Sequence, residues 1–409
     1  MSRSFARVPA PVNAHSHAFH RILRGRTHQG APGGAGNFWS WRGQMYHAAA
    51  GLTPASYEQL ATAVFAEMVV SGWSAVGEFH YVHHDVDGAP YAGAAEHGME
   101  LALARAAQAA GIRLVLLDSC YLQGGLAASG TVLELNETQK RFSDGDAARW
   151  LERHGRLAAA LAAVDAGEGL VGLGAAIHSV RAVPPAALEH IAAGLDPALP
   201  LHVHLSEQPA ENEACQAAYG LSPTGLLERA GLLTARLSAV HATHLSGADI
   251  AALGAAGAGI VMCPSTEADL GDGIGPAREL ADAGAVIALG SDQHAVLDPY
   301  LEQRALEHGA RLRSGERGCF SPTELSAAAR TGGLRSLGLG ENEDYLKVRT
   351  DSVRTAGSRA AQLPLTATAA DITEVHINGQ LVARDGIHFR LGDPAGLYAA
   401  FFKANPEFS

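Results

Sequence analysis

Two histidines one residue apart, His15-Ser16-His17, end a short apolar run near the N-terminus of this chain. On an extended strand, residues i and i+2 project to the same side, so both imidazoles can grip one divalent cation. Among 20 histidines such a pair also arises through ordinary packing, and alone it identifies nothing. Its weight comes from residues much further along. His204 with Glu207, then His241, then Asp292, each follow a separate strand-like run. Metal-capable side chains arriving from the ends of different strands are how a barrel enzyme builds a site.

The stretch His204-Leu205-Ser206-Glu207 sets an imidazole able to ligate beside a carboxylate able to carry a proton. Hydrolysis of a C=N bond needs a hydroxide nucleophile and a proton for the nitrogen. Zinc supplies the first by lowering the pKa of its water to roughly 7, and Glu207 the second. Asp292 suits two tasks, metal ligand and base toward that water, although Gly290-Ser291-Asp292 also reads as a turn and helix cap. His241 would polarise or orient the hydroxyl forming at the attacked carbon. Arg42 and Arg181, grouped with Tyr81 and His178, would suit a small dicarboxylate, whereas either arginine alone reads as a surface ion-pair partner. His83, His84, His244 and His294 are expected to be supporting or surface residues, and His202 a packed core residue.

These side chains need a scaffold that delivers strand ends to one place. Eight apolar runs are present: Val8–Asn13, Ser74–Phe79, Arg113–Leu117, Leu170–Ile177, Leu201–Leu205, Leu237–Val240, Gly259–Cys263 and Val286–Leu289. Most are Val-, Leu- and Ile-rich without alternation, as expected of parallel strands buried on both faces. Helical stretches separate them, among them Tyr57–Ser71 after Thr53-Pro54, Glu96–Ala110 before Gly111, and Pro184–Gly194. The alternation predicts an α/β fold, a (β/α)8 TIM-type barrel over residues 8–350. A doubly wound sheet is the runner-up, but no G-x-G-x-x-G follows the first run. Beyond Thr350 the pattern alternates in Ile372–Asn378, Gln380–Ala383 and His388–Leu391, joined by Asn378-Gly379 and Asp385-Gly386. Those turns predict a small β-rich subdomain over 351–409, with residues 1–7 and a C-terminal helix. The glycine-rich segment Arg24–Asn37, with His28, reads as a mobile loop.

Bulk properties narrow the function. A net charge of −12 argues against a nucleic-acid footprint, and no run of 18 apolar residues suggests a membrane span. Cys120, Cys215, Cys263 and Cys319 are far apart in sequence, without a C-x-x-C pair, so reduced thiols in a cytoplasmic protein are expected.

The motifs together resemble the amidohydrolase superfamily, and within it the formimidoylglutamate deiminases of bacterial histidine degradation. The resemblance rests on Asn13-Ala-His-Ser-His-Ala-Phe19, Phe38-Trp-Ser-Trp-Arg42, Glu78-Phe-His-Tyr-Val-His-His84, His178-Ser-Val-Arg-Ala182, His202-Val-His-Leu-Ser-Glu-Gln208, Val240-His-Ala-Thr-His244, Ser265-Thr-Glu-Ala-Asp-Leu-Gly-Asp-Gly273 and Gly290-Ser-Asp292. It implies one divalent metal, zinc with iron as the other candidate, on His15, His17, His204 and Asp292. Glu207, His241 and Asp292 would be catalytic; Arg42, Tyr81, His178 and Arg181 would bind the glutamate part. The implied reaction converts N-formimidoyl-L-glutamate and water to N-formyl-L-glutamate and ammonia, in a homodimer. Another amidohydrolase, either an aromatic or nucleobase deaminase or a cyclic-amide hydrolase such as imidazolonepropionase, stays open, and a non-catalytic barrel stands behind both. Two departures stand out. His20 occupies a place usually held by glutamine, where it would face the substrate. Only about a dozen residues precede His15, fewer than the β-rich leader of the family, so the small domain is expected to be either incomplete or trimmed at its start.

Overall fold

The computed structural model describes residues 4–27 and 36–409, so most of the glycine-rich segment around His28 lies outside the described residues. In chain order the strands are β1 (Phe5–Pro9), β2 (Val12–Ser16), β3 (Ala75–His80), β4 (Arg113–Cys120), β5 (Gly125–Leu126), β6 (Val132–Leu133), β7 (Val171–Ser179), β8 (Leu201–Leu205), β9 (Leu237–His241), β10 (Gly259–Met262), β11 (Val286–Leu289), β12 (Tyr345–Arg349), β13 (Ile372–Ile377), β14 (Gln380–Arg384) and β15 (Ile387–His388). Eight of them form a parallel sheet in the order β2-β3-β4-β7-β8-β9-β10-β11.

The two edge strands meet just beyond their ends. Ser16 and Asp292 form a parallel bridge. The backbone N–H groups of Ser291 and Asp292 donate to the His15 carbonyl at 3.0 Å, and that of His17 donates to the Asp292 carbonyl at 3.1 Å. The sheet is therefore a barrel, closed by the very residues that carry candidate chemistry. Its strands are rich in apolar residues because both faces are covered: β2, β3, β8, β9 and β10 contain no exposed position.

The helices begin where side chains can satisfy their free N–H groups. Thr53 and Ser56 form a reciprocal capping box at Pro54–Val70, and Asn37 with Ser40 does the same for Phe38–Gly51. Observed helices Pro54–Val70, Gly98–Ala110 and Pro185–Gly194 lie within a few residues of the spans read from sequence. The first apolar run divides instead of forming one strand. Val8 and Pro9 belong to β1, which alternates in exposure and pairs antiparallel with β12, while Val12 starts the buried β2. Pro11 sits at the division, having no N–H to offer either sheet.

A second, antiparallel sheet has the order β1-β12-β13-β14-β15. Asn378 and Gly379 have φ of 51° and 73°, the left-handed pair that a two-residue hairpin turn requires. The last strand is shorter than His388–Leu391. It stops at His388, whose N–H bonds the Gly392 carbonyl as the chain turns back. Helix Pro394–Ala404 follows, and its Tyr398 hydroxyl donates to Glu67 at 2.5 Å.

Beneath the ends of β3 and β4 lies a buried ionic cluster. The Arg153 guanidinium reaches Asp118 at 2.9 Å, Glu100 at 3.1 Å and Asp144 at 2.9 Å. His83 donates from Nδ1 to Glu100 at 2.8 Å and from Nε2 to the Ser119 carbonyl at 2.9 Å, so both nitrogens carry protons. Burial alone would push these carboxyl groups up. His80, His83 and Arg153 hold Glu100 well below the usual carboxylate range, and Arg153, His83 and His154 do the same for Asp118. Replacing Arg153 with Met strands three buried carboxylates and is expected to destabilise the protein by about 3–5 kcal/mol in urea unfolding. In the wild type, the contribution of Glu100 and Asp118 is complete above their unfolded values near 4 and is lost as pH falls through the lower folded values. The raised His83 contributes below about 6.5 and loses that contribution as pH rises through its folded value. Unfolding midpoints between pH 3 and 9 measure both limbs.

Candidate active site

At the mouth of the barrel His15 and His17 leave β2, His204 sits on β8, His241 ends β9, and Asp292 follows β11. Sharp backbone turns aim several of these side chains. Ser206, His241, Ala242 and Asp292 hold φ of 50°, 66°, 51° and 43°, a left-handed conformation that non-glycine residues adopt only where the surroundings enforce it.

His17 Nδ1 lies 2.7 Å from the Phe79 carbonyl, which can only accept. The proton is therefore on Nδ1, and Nε2 presents a bare lone pair. His204 repeats the arrangement, with Nδ1 2.9 Å from the His178 carbonyl. The two Nε2 atoms face each other at 3.3 Å, and His204 Nε2 is also 3.3 Å from His15 Nε2. The lone pairs of His17 and His204 repel at this distance unless a cation lies between them. Protonation does not resolve the conflict, because burial, then neighbouring histidines, hold all three rings well below 6.5. Asp292 Oδ1 adds a negative charge 3.4 Å from His15 Nε2 and 3.5 Å from His17 Nε2. Three neutral imidazoles and a carboxylate fit a divalent cation of the zinc or ferrous type.

Glu207 and His241 flank this cluster. Their side chains approach to 3.6 Å, and His241 lies 3.8 Å from Asp292 Oδ2. Burial pushes Glu207 above its ordinary value, with His241 and Arg181 pulling the other way. Burial lowers His241, but Glu207, Glu267 and Asp292 outweigh it and raise the imidazole to about 10. Glu207, pushed up by burial, thus stands beside an imidazolium and the Asp292 carboxylate.

The same pocket contains Arg42, Tyr81, His178, Arg181 and His20. Arg181 is buried rather than a surface residue, 3.5 Å from Glu211 and 3.9 Å from Glu207. Arg42 donates to the Tyr46 hydroxyl at 2.8 Å. His20 sits 3.1 Å from the Tyr81 hydroxyl with its ring edge-on to Trp41, and burial lowers it to about 3, leaving it neutral. Phe79 packs against the rings of His15, His17 and His204 and helps keep water from the cluster.

Other residues singled out from sequence are engaged elsewhere. His202 is fully buried with Nε2 on the Ser336 carbonyl at 2.8 Å. His83, His84 and His294 are buried, not on the surface: His83 joins the ionic cluster, His84 approaches Asp144 at 3.3 Å, and His294 reaches Ser16 at 3.1 Å. His244 lies against the Asp272 carbonyl at 2.8 Å. Tyr46, Tyr121, Trp41 and Phe142 line the pocket but carried no expectation. Tyr121 follows directly on Cys120, so a longer estimate of the third run would have placed it at the mouth. Glu211 lies in the first turn of helix Pro209–Tyr219, which starts two residues after Glu207.

Residues 7–348 match the amidohydrolase family model. The chain belongs to the amidohydrolase family. It is 37% identical over 400 residues to formimidoylglutamate deiminase of Pseudomonas aeruginosa, covering 93% of this chain and 85% of that protein. It is 30% identical over 401 residues to 8-oxoguanine deaminase of the same species, covering 93% and 82%. Among solved structures, an amidohydrolase from Brucella melitensis superposes with a TM-score of 0.87 at 32% identity, covering 98% of this chain and 89% of that one. As an amidohydrolase with deiminase and deaminase relatives, this chain is a hydrolase acting on C–N bonds.

Tight packing behind the cluster leaves no room for a larger residue at Gly290. A Cβ there would stand 2.8 Å from the His15 Cβ and 3.0 Å from Cys263 Sγ. Gly290→Ala is expected to cost about 1–3 kcal/mol and to displace His15, lowering the divalent metal retained per chain. Elemental analysis of the purified variant alongside its melting curve measures both effects.

Proposed function

We propose that this amidohydrolase hydrolyses N-formimidoyl-L-glutamate to N-formyl-L-glutamate and ammonia. The observation that carries the reading is the pairing, in one pocket, of a C–N-hydrolysing constellation with two arginines. Glu207, His241 and Asp292 stand at one end, and Arg42 and Arg181 line the same cavity. A neutral purine offers paired guanidinium groups only uncharged acceptors, whereas a glutamyl tail brings two carboxylates. The similarity to the Pseudomonas deiminase supports the same choice.

His15, His17, His204 and Asp292 would hold one divalent cation, with zinc preferred for this donor set. Bound there, it supplies the Lewis acidity that makes water nucleophilic near neutral pH. Asp292 takes one proton from the attacking water as its oxygen bonds to the formimidoyl carbon. Glu207 gives its proton to the imine nitrogen, and His241 donates a hydrogen bond to the new C–O oxygen. Asp292 then passes its proton to the same nitrogen while the hydroxyl proton returns to Glu207. The C–N bond breaks, ammonia leaves and the formyl C=O is formed. Arg42, Arg181, Tyr81 and His178 position the acidic tail, and His20 presents an imidazole next to Tyr81.

Ammonia release measured over formimidoylglutamate, formimidoylaspartate, imidazolonepropionate and a panel of aminopurines including 8-oxoguanine decides the substrate class. The highest kcat/KM is expected for formimidoylglutamate, and a purine in that place overturns the proposal. Glu207→Gln should retain metal while kcat falls by about 10²–10⁴. Arg181→Met should raise KM by at least about tenfold, and an unchanged KM removes Arg181 from the binding site.

A further inference from the structure

The wall of the pocket facing the two arginines contains a hydrogen-bond arrangement whose direction is fixed from outside the pocket. Gln139 is the third residue of a capping box. Its Oε1 accepts from the Asn136 N–H at 3.0 Å, while the Asn136 side chain accepts from the Gln139 N–H at 2.8 Å. That bond settles which end of the amide faces where, because a backbone N–H needs an oxygen opposite it. The Gln139 NH2 must therefore face the pocket wall. It donates to the Tyr121 hydroxyl at 2.7 Å and the Tyr46 hydroxyl at 3.1 Å, and lies 3.1 Å from the Gly124 carbonyl. Arg42 Nε donates to the same Tyr46 hydroxyl at 2.8 Å.

Both phenol oxygens thus receive hydrogen bonds from groups that can only donate. Each phenol still has one hydrogen to place. If one hydroxyl donates to the other, the second keeps its hydrogen, so at least one O–H is left to enter the cavity. Burial, then Tyr121, pushes the Tyr46 hydroxyl above the ordinary phenol range, so no phenolate forms near neutral pH to reverse the direction. His178 packs edge-on against the Tyr121 ring at 4.5 Å and limits where that hydroxyl can turn. Together with the guanidinium groups of Arg42 and Arg181, this side of the pocket offers hydrogens and positive charge.

We propose that Tyr46 and Tyr121 form a hydroxyl clamp, set to donate by Gln139, which selects a carboxylate over a neutral amide or ester on the substrate tail. Tyr46 and Tyr121 are specificity residues, and Gln139, which does not line the pocket, is a positioning residue. The inference rests on the deiminase reading and deepens it. An amide tail brings its own NH2 and would meet hydroxyl hydrogens and guanidinium groups without an acceptor to receive it, whereas a carboxylate accepts from all of them.

The test compares wild type with Tyr121→Phe, Tyr46→Phe and Gln139→Leu. N-formimidoyl-L-glutamate and its side-chain amide serve as substrates, and calorimetric binding of N-formyl-L-glutamate serves as a probe independent of turnover. Each variant is expected to lose about tenfold or more in kcat/KM for the diacid, chiefly through KM, and less than threefold for the amide. Gln139→Glu should be worse for the diacid than Gln139→Leu, because its carboxylate would draw the hydroxyl hydrogens away from the pocket. Equal losses for both substrates in Tyr121→Phe and Gln139→Leu, with melting temperatures near wild type, overturn the clamp. If wild type fails to release ammonia from formimidoylglutamate, the deiminase reading falls, and the clamp is then judged by binding alone. Weaker binding of N-formyl-L-glutamate in the variants sustains it, and unchanged binding overturns it. Should a variant misfold, its conservative partner at the other tyrosine decides by the same criteria.

Discussion

Three imidazole nitrogens, two of them denied a proton by backbone carbonyls, face one another within a buried barrel mouth, and much of the local structure exists to keep them there. The carbonyls of Phe79 and His178 hold His17 and His204 in the tautomer that turns lone pairs inward. Left without a counter-charge, such a cluster would relax by rotating a ring or admitting water. Phe79 blocks the rotation, and the Asp292 carboxylate contributes charge that suits a cation and not a proton. The arrangement is costly to assemble and has an evident compensation only in binding a metal.

Much of this could be read from the sequence because each relevant side chain sits at a strand end. The apolar runs around His15, His204, His241 and Asp292 mark where strands stop, and in a parallel barrel all such stops lie at one mouth. What escaped notice did so for physical reasons. The strand from Arg113 continues past Leu117 because Asp118 and Ser119 are buried with partners: Arg153 holds the Asp118 carboxylate and His83 takes the Ser119 carbonyl. A polar dipeptide in the chain looked like an end, and Tyr121 was hidden with it. The first run departs in the opposite sense: it reads as one strand where Pro11 separates two sheets. No local pattern says that Val8 alternates with its neighbours toward a different partner.

The histidine-rich motif after β3 shows the limit of residue types as evidence. Tyr81 enters the pocket, while His80, His83 and His84 face the ionic cluster built around Arg153, some of it on helices distant in sequence. One short stretch therefore serves both substrate contact and the anchoring of β3 and β4. Glu78 belongs to neither: it accepts from the Ser16 hydroxyl and the Ala18 N–H, tying the metal-side loop to the barrel wall.

Closure of the barrel between Ser16 and Asp292 has a consequence for biosynthesis. The candidate ligands come from the first, fifth and last barrel strands, so no portion of the nascent chain ending before residue 292 can offer the complete donor set. The donor set is thus complete only when nearly three quarters of the polypeptide has been made, the stage at which the cylinder can also seal. Proteolytic fragments that end before Asp292 or begin after His17 would likewise lack part of that donor set.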